Sequence, residues 1–488
     1  MSNLSELLPA GAGAKSAEFV ASGTLSSGQA AALNSDGTVS SISANALPPS
    51  VGDSQTFYTG NNYNLDIAYD SGSNVIVIVF RDGSVSQYGA CIVGQVATDG
   101  SVTWGSKVFF NSGTTYYSTV AYDVNSNKVV ISYRDGSNSN YATVIVGTVS
   151  GTSISFGSEY VWSTTRHDFL DITYSNYDNK CIVAGRNSTN NYVGTCTVTI
   201  SGTSASFGSY TYAFSEIVDS LRVDYFAGQN TSATRRIIYA MCRNNTSVKL
   251  APAYITSTNL NFGTTVTAST SSPNNISLAY DSTNQRMICS YQYNNGGTYL
   301  ASVFSATVIS GAITTGSTTV LEYANSTYNI NSCDFPAGSG SLVSYRDDDA
   351  TSFVGTSVII TGTGTTISVG TPFTFSDLGY TGYIESVYDP DTEQAIIAYV
   401  DQSGSNDGMV VAVGAPQSNN INFIGITDQA IADTATGAVI VQGGVSDKVT
   451  GLTTGSDYYV QDDGSLSTTV SSVPAGRALS TTSILLEG

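Results

Sequence analysis

Charge is scarce in this chain of 488 residues. Asp, Glu, Lys and Arg make up 11% of it, with 17 basic residues against 37 acidic ones. Surfaces that grip phosphates need clustered Lys and Arg. The formal net charge of −20 therefore speaks against nucleic acid and anionic membrane as partners, and favours solubility. Histidine occurs once, at His167. A Ser-His-Asp triad would have to use it, yet no G-x-S-x-G elbow precedes a helix, because sustained helical periodicity is missing. His167 is read as a surface-loop residue. The six cysteines, Cys91, Cys181, Cys196, Cys242, Cys289 and Cys333, include no pair at the two-residue spacing of zinc or redox motifs. They read as buried free thiols, which fits folding in a reducing cytoplasm. No cofactor or metal is expected. No apolar stretch approaches the roughly 20 residues of a spanning helix, and the N-terminus lacks the basic start and apolar core of a secretory signal.

What is abundant is Ser, Thr, Asn and Gly, with 31 Tyr. The composition is that of a β-rich, turn-rich chain. Residues 121–136, AYDVNSNKVVISYRDG, read as strand, tight polar turn, strand, and they recur. Copies are centred on Tyr69, Tyr122, Tyr174, Tyr225, Tyr280, Phe335 and Tyr388, at intervals of 51 to 55 residues. Near-constant spacing is the mark of a repeat architecture. Each copy continues into a third strand and then a fourth, marked by Trp104-Gly105, Phe156-Gly157, Phe207-Gly208 and Phe262-Gly263, with Gly316 and Gly370 alone in the next two. Four short strands in about 50 residues is the size of one propeller blade. Second strands such as residues 75–80 are apolar throughout, where a one-sided sheet would alternate. Such runs suit blades packed on both sides. The expected fold is all-β, a seven-bladed β-propeller.

The seventh copy lacks a fourth strand before Pro416, and residues 51–59 (VGDSQTFYT) resemble a fourth-strand ending. This N-terminal strand is expected to complete the last blade and remove exposed edges. The remaining segments are a flexible arm at 1–17, whose Leu4, Leu7 and Leu8 offer a docking motif, and a β-hairpin segment at 18–46. The propeller spans 47–416, and 417–488 form a C-terminal β module that packs with 18–46 as one split domain. Residues 416–420 (PQSNN) read as a linker.

Arg81, Arg134, Arg186, Arg243 and Arg346 all end the second strand of their copies. A ring of guanidinium groups could hold acidic sugars. Alternatively each pairs with a carboxylate or carbonyl in its own or the adjacent copy, and regular recurrence favours that structural role for all five alike. Tyr116, Tyr117, Tyr210, Tyr212, Tyr380 and Tyr383 lie near the loops between copies, placed equally well for stacking on sugar rings and for packing. Asp123-x-Asn125-x-Asn127 and Asp389-x-Asp391-x-Glu393 have the look of calcium loops but lack the downstream glutamate; turn chemistry explains them. The longer loop at 229–235 in the fourth copy fits a binding loop and neutral drift equally well. No asymmetric carboxylate cluster stands out, so a glycan-degrading enzyme, which needs paired acids facing one pocket, is the weaker alternative.

Residues 422–488 resemble a small module at the ends of tailed-phage virion proteins of the marine phage type. Residues 20–43 (VASGTLSSGQAAALNSDGTVSSIS) are similar to the opening segment of the same proteins, and the AYDxxxNKVVISYRDG repeats to phage structural and fibre-like proteins. The resemblance implies a non-enzymatic virion surface component made in the host cytoplasm, either a tail fibre or spike part or a capsid decoration. Its partners would be other virion structural proteins, further copies of itself, or a host-surface glycan or protein. A purely architectural cement or nozzle-like role stays open beside these.

Overall fold

The computed structural model describes residues 15–44, 47–227, 237–243, 245–309, 311–322, 326–348, 353–377 and 379–487. The chain is all β, built of antiparallel sheets. Among the described residues the helical segments are two short 3-10 turns, Pro336–Gly338 and Asn419–Asn422. No helix among the described residues is long and apolar enough to cross a membrane. The chain separates into two compact units: one combines its two ends, up to Pro49 and from Pro416, and the other is Ser50–Ala415. The loop at 229–235 and the leucines at 4, 7 and 8 lie outside the described residues.

In the repeat unit each copy makes one antiparallel ladder of strands in chain order. The first begins with Asn62–Asp70, Val75–Asp82 and Tyr88–Val96. The recurring Asp that ends the first strand builds the turn: Asp70 Oδ1 accepts the N–H groups of Gly72 and Ser73 at 2.9 and 3.0 Å, and Asp123 Oδ1 those of Asn125 and Ser126 at 3.0 Å. Asn74 and Asn127, both at φ 54°, then take the left-handed position that Asn tolerates. The calcium-like loops are these turns. Val108–Asp123 and Ser153–Ser175 each close one copy and open the next, which fuses the first three copies into one twelve-stranded sheet. The other four copies form separate five-stranded sheets, all of them open. The last consists of Thr381–Asp389, Gln394–Asp401 and Asp407–Pro416, and its outer strands come from the N-terminal side, Pro49–Val51 and Gln55–Tyr58. Tyr58 faces Gly408 and Gln55 faces Val410 in that ladder.

The apolar second strands bury both faces, each against a different neighbour. Val75, Val77 and Val79 of the first copy share a core with Val129, Ile131 and Tyr133 of the second. Their alternates Ile76, Ile78 and Phe80 share one with Ile396, Ala398 and Val400 of the seventh. Similar cores join the copies between. All six cysteines are free and lie in these buried layers.

The glycine of the aromatic-glycine pair interrupts the outer strand, and its N–H donates to the third strand, from Gly105 to Val93 O at 2.8 Å and from Gly208 to Thr197 O at 2.9 Å. A Cβ there would meet the turn of the next copy: 1.8 Å from Thr152 O at Gly105 and 2.0 Å from Thr258 O at Gly208. Only hydrogen fits.

In the terminal unit one sheet runs in the order Ser16–Val20, Thr436–Val441, Phe423–Thr427, Ala30–Leu33, Val39–Ser41. Strand therefore begins at Ser16, inside the segment read as an arm. Only the second and third N-terminal strands form a hairpin, around Asp36-Gly37; the first pairs with Thr436–Val441. A second sheet contains Asp457–Val460, Pro474–Ala478 and Ile484–Leu486, and one core joins Ala30, Ala32 and Ile42 to Ile426, Tyr458 and Ile484. The expected linker is no free tether either. Asn419 and Asn420 are buried, Asn419 Oδ1 accepting the Ser43 N–H at 2.9 Å and Asn420 Nδ2 donating to Asp462 Oδ1 at 3.0 Å.

Candidate functional site

The first strand of most copies carries a β-bulge at one place. Asn64, Tyr117, Phe169, Asn329 and Tyr383 sit there with φ between 48° and 53°. The ladder slips at each of them, for example between Tyr63 and Asp66. A bulge bends the strand and re-aims the side chains that follow. Two residues on come Asp66, Thr119, Asp171, Asn331 and Glu385, and the same level holds Arg222 and Ser277 in the fourth and fifth copies.

These seven residues link copy to copy. Asp66 Oδ2 accepts from Thr119 Oγ1 at 2.7 Å and from the Val120 N–H at 2.8 Å. Asp171 Oδ2 accepts the Val223 N–H at 2.6 Å, and Ser277 Oγ the Ser332 N–H at 2.9 Å. Ser386 Oγ donates to Asn331 Oδ1 at 2.5 Å. Arg222 Nη2 donates to Glu385 Oε1 at 3.0 Å, joining the fourth copy to the seventh, while Asn331 Nδ2 donates to the other oxygen of Glu385. The match of Asn331 to Asp66 also corrects the register of the sixth copy, in which Asp334 and not Phe335 answers to Tyr69.

A cavity of about 290 Å³ is lined by first-strand residues of all seven copies, among them Asn64, Tyr117, Phe169, Ser220, Ile276, Asn329 and Tyr383. A second, of about 510 Å³, is lined by the following residues of the same strands. Asp66, Asp171, Arg222 and Glu385 border both. Three carboxyl groups thus face one guanidinium. Burial, partly offset by Arg222, pushes Asp171 up to about 6 and Glu385 up to about 8. Asp66 is raised for the same reason, and Asp224, two residues beyond Arg222 on the same strand, reaches about 7. Burial opposes the charge of Arg222, but Glu385, Asp171 and Asp66 together hold its guanidinium above its ordinary value. Among the described residues no three His, Cys, Asp or Glu side chains come together as a metal-holding group.

This asymmetric acidic level overturns the expectation that no carboxylate cluster stands out. Its members are scattered from residue 66 to 385, and the signal that finds them is the position three residues before the recurring Tyr. Read down the seven copies in the corrected register, it varies as Asp, Thr, Asp, Arg, Ser, Asn and Glu, while most of its neighbours in the chain are apolar.

The recurring arginines do not sit alike. Arg81 lies over Tyr63 and Tyr116, with 5.0 and 5.4 Å to the ring centroids. Arg134 is buried against Tyr116 and Tyr117 at 4.1 and 5.1 Å and pairs with Asp168 of the next copy. Arg186 also reaches Asp168, at 3.1 Å, and the Val218 carbonyl at 3.3 Å. Arg346 is buried between Tyr328 and Tyr380, bonded to Asp348 at 3.0 Å. Arg243 alone is exposed, paired with Glu216, which also holds Lys249 at 2.6 Å. Tyr116 and Tyr380 thus serve as arginine platforms, and Tyr117 and Tyr383 border the smaller cavity.

Tyr210 and Tyr212 pack edge to face beside His167, which is no surface-loop residue. It is fully buried in Ser153–Ser175, next to Trp162 at 4.7 Å between ring centroids. Its Nδ1 lies 2.8 Å from Thr165 O and its Nε2 3.0 Å from Tyr210 Oη. Burial pulls its pKa down to about 4, so it is neutral near pH 7.

No protein-family model matches the chain, and no curated protein matches it. Among solved structures it is similar to an arginine-to-alanine triple mutant of AofleA from Arthrobotrys oligospora, at 10% identity and a TM-score of 0.41, covering 66% of this chain and 91% of the other. It is also similar to Sqt1 of Saccharomyces cerevisiae, at 10% identity and a TM-score of 0.43, covering 75% and 88%. Likenesses this remote carry nothing over to this chain.

Proposed function

We propose that the seven copies are the blades of one seven-bladed β-propeller, and that the protein is a non-enzymatic component of a bacteriophage particle surface. The unit built from the chain ends anchors it; the propeller is displayed toward the host surface or a neighbouring virion protein. The observation that carries the propeller reading is the sequence of shared cores. Every second strand packs on two neighbours, and the first copy packs on the seventh. The cavities lined by all seven first strands support the same reading. A whole repeat unit set as one insert between strands of a separate terminal unit favours display. The resemblance of residues 20–43 and 422–488 to phage virion segments supplies the setting. The carboxylates at the cavities favour structure over catalysis, since Asp66 and Asp171 accept main-chain N–H groups of the next copy and Glu385 pairs with Arg222.

The test is incorporation. Tagged full-length chain, expressed in infected host cells, should band with purified particles, whereas Ser50–Ala415 alone should fold and stay out of them. Absence of the full chain from particles would sink the virion reading, and equal incorporation of the isolated repeat unit would sink the anchor.

A further inference from the structure

Asp168 is shared by three arginines. Arg134 Nη1 contacts its Oδ1; Arg166 reaches Oδ1 from Nε at 3.1 Å and Oδ2 from Nη2 at 3.3 Å; Arg186 Nη2 reaches Oδ2 at 3.1 Å. Three guanidinium groups thus share one directly paired carboxylate, in a chain of net charge −20. Asp135, beside Arg134 in the chain, is bonded to neutral donors and makes no ion pair with these guanidinium groups: its Oδ1 accepts the Ser137 N–H at 2.9 Å, the Ser137 hydroxyl at 2.6 Å and Asn111 Nδ2 at 3.3 Å. His167, adjacent in sequence, is neutral and tied to Thr165 and Tyr210. The Nε atoms of Arg134 and Arg186 are buried with no hydrogen-bond partner. Burial and the charge of Arg166 lower Arg134 below its ordinary pKa, against the pull of Asp168.

The cluster belongs to one copy only. Asp168 stands where the first, second and sixth copies have Tyr63, Tyr116 and Tyr328, and Arg166 where the first two have Asn61 and Thr114. Recurrence explains Arg134 and Arg186; it does not explain Arg166. The Arg166 side chain is 51% exposed and that of Arg186 23%, so two of the three guanidinium groups reach solvent. Phe169 backs Arg186 at 4.6 Å and packs on Tyr117 at 5.3 Å, giving aromatic surface beside the charge.

We propose that Arg166 and Arg186, with Arg134 behind them, form an anion site for the carboxylate or sulfate ester of an acidic glycan. A planar guanidinium offers paired N–H donors that match such an oxyanion, and the neighbouring rings offer a face to the sugar. The inference rests on the reading that the repeat unit is displayed toward a host surface.

The experiment measures binding of the purified full chain to dextran sulfate, polygalacturonate and neutral dextran at low and moderate salt. Dextran sulfate, polygalacturonate or both should bind, neutral dextran should not, and which polyanion binds tells sulfate from carboxylate. Arg166→Ala should weaken binding about tenfold or more, the scale of one lost charge-assisted contact, with its melting temperature little changed. Arg477→Ala, which removes an exposed charge from the terminal unit, should bind like the parent. Equal losses in the two variants, or no binding of either polyanion, would overturn the site. If no polyanion binds while the chain still bands with particles, only this inference falls. If Arg166-dependent binding persists while the chain is absent from particles, the virion reading falls instead.

Discussion

At the scale of single residues, the side chains that matter most are the polar ones set inside an apolar stack. Glu385, Asp224 and Asp171 are raised by burial to about 8, 7 and 6. In the unfolded chain such groups titrate near about 4. Between those limits the folded protein holds more protons than the unfolded one, so stability is greatest at the acid end and declines as pH rises toward about 8. Thermal melts between these limits should show a falling melting temperature, and Glu385→Gln should flatten the decline at its upper end. A melting temperature that rises across the interval, unaltered in Glu385→Gln, would contradict the raised values. These residues were hard to read because each looks ordinary in its own copy; only alignment of the copies reveals the position. His167 was misread because loop-like polar neighbours in sequence, Thr165 and Asp168, turn out to be its hydrogen-bonding and charged surroundings within a strand.

At the scale of the element, the repeat was legible because it is written twice, in turn chemistry and in apolar runs. Asp70 and Asp123 build their turns from side-chain bonds that need no tertiary context, so sequence alone locates the strands on either side. The bulges were not legible. Asn64 and Tyr117 share no residue type, and the left-handed position is imposed by the strand's neighbours. The aromatic-glycine pair was visible as a marker, but its reason lies in the next copy. Gly208→Ala would place a methyl group 2.0 Å from Thr258 O. The strand and the turn would have to move apart, at a cost of about 1–3 kcal/mol. Gly370→Ala, whose nearest atom is Ile359 O at 3.2 Å, should cost clearly less. Paired urea denaturations of these two variants measure the difference, and equal losses would mean that the next copy's turn is not what demands the glycine.

At the scale of the whole molecule, the order of copies and the mixing of chain ends are the features that decide the rest. Phe57 belongs to the core shared by the first and seventh copies, beside Phe80 and Trp104 at 5.6 and 5.8 Å. Phe57→Ala should cost about 3–5 kcal/mol and expose the edge of Asp407–Pro416, so that the variant melts lower and associates on warming. Val51→Ala, at a position 38% exposed, should do neither; a Phe57→Ala melt close to the parent's would show that the strand contributes little. That the N-terminal strand pairs with the last copy was inferable from the missing fourth strand before Pro416. The interleaving of the end sheet was not, since nothing in Ser16–Val20 announces that its partner lies more than four hundred residues away. That interleaving has a consequence for birth on the ribosome. The hairpin of Ala30–Leu33 and Val39–Ser41 emerges early, but the other edge of Ala30–Leu33 waits for Phe423–Thr427 and Ser16–Val20 waits for Thr436–Val441, so both lack those partners while residues 42–422 are translated. At about 5–20 residues per second this takes roughly 20 to 75 s. Throughout that interval the nascent chain trails open strand edges, and a truncated product of an interrupted message can never acquire the end unit.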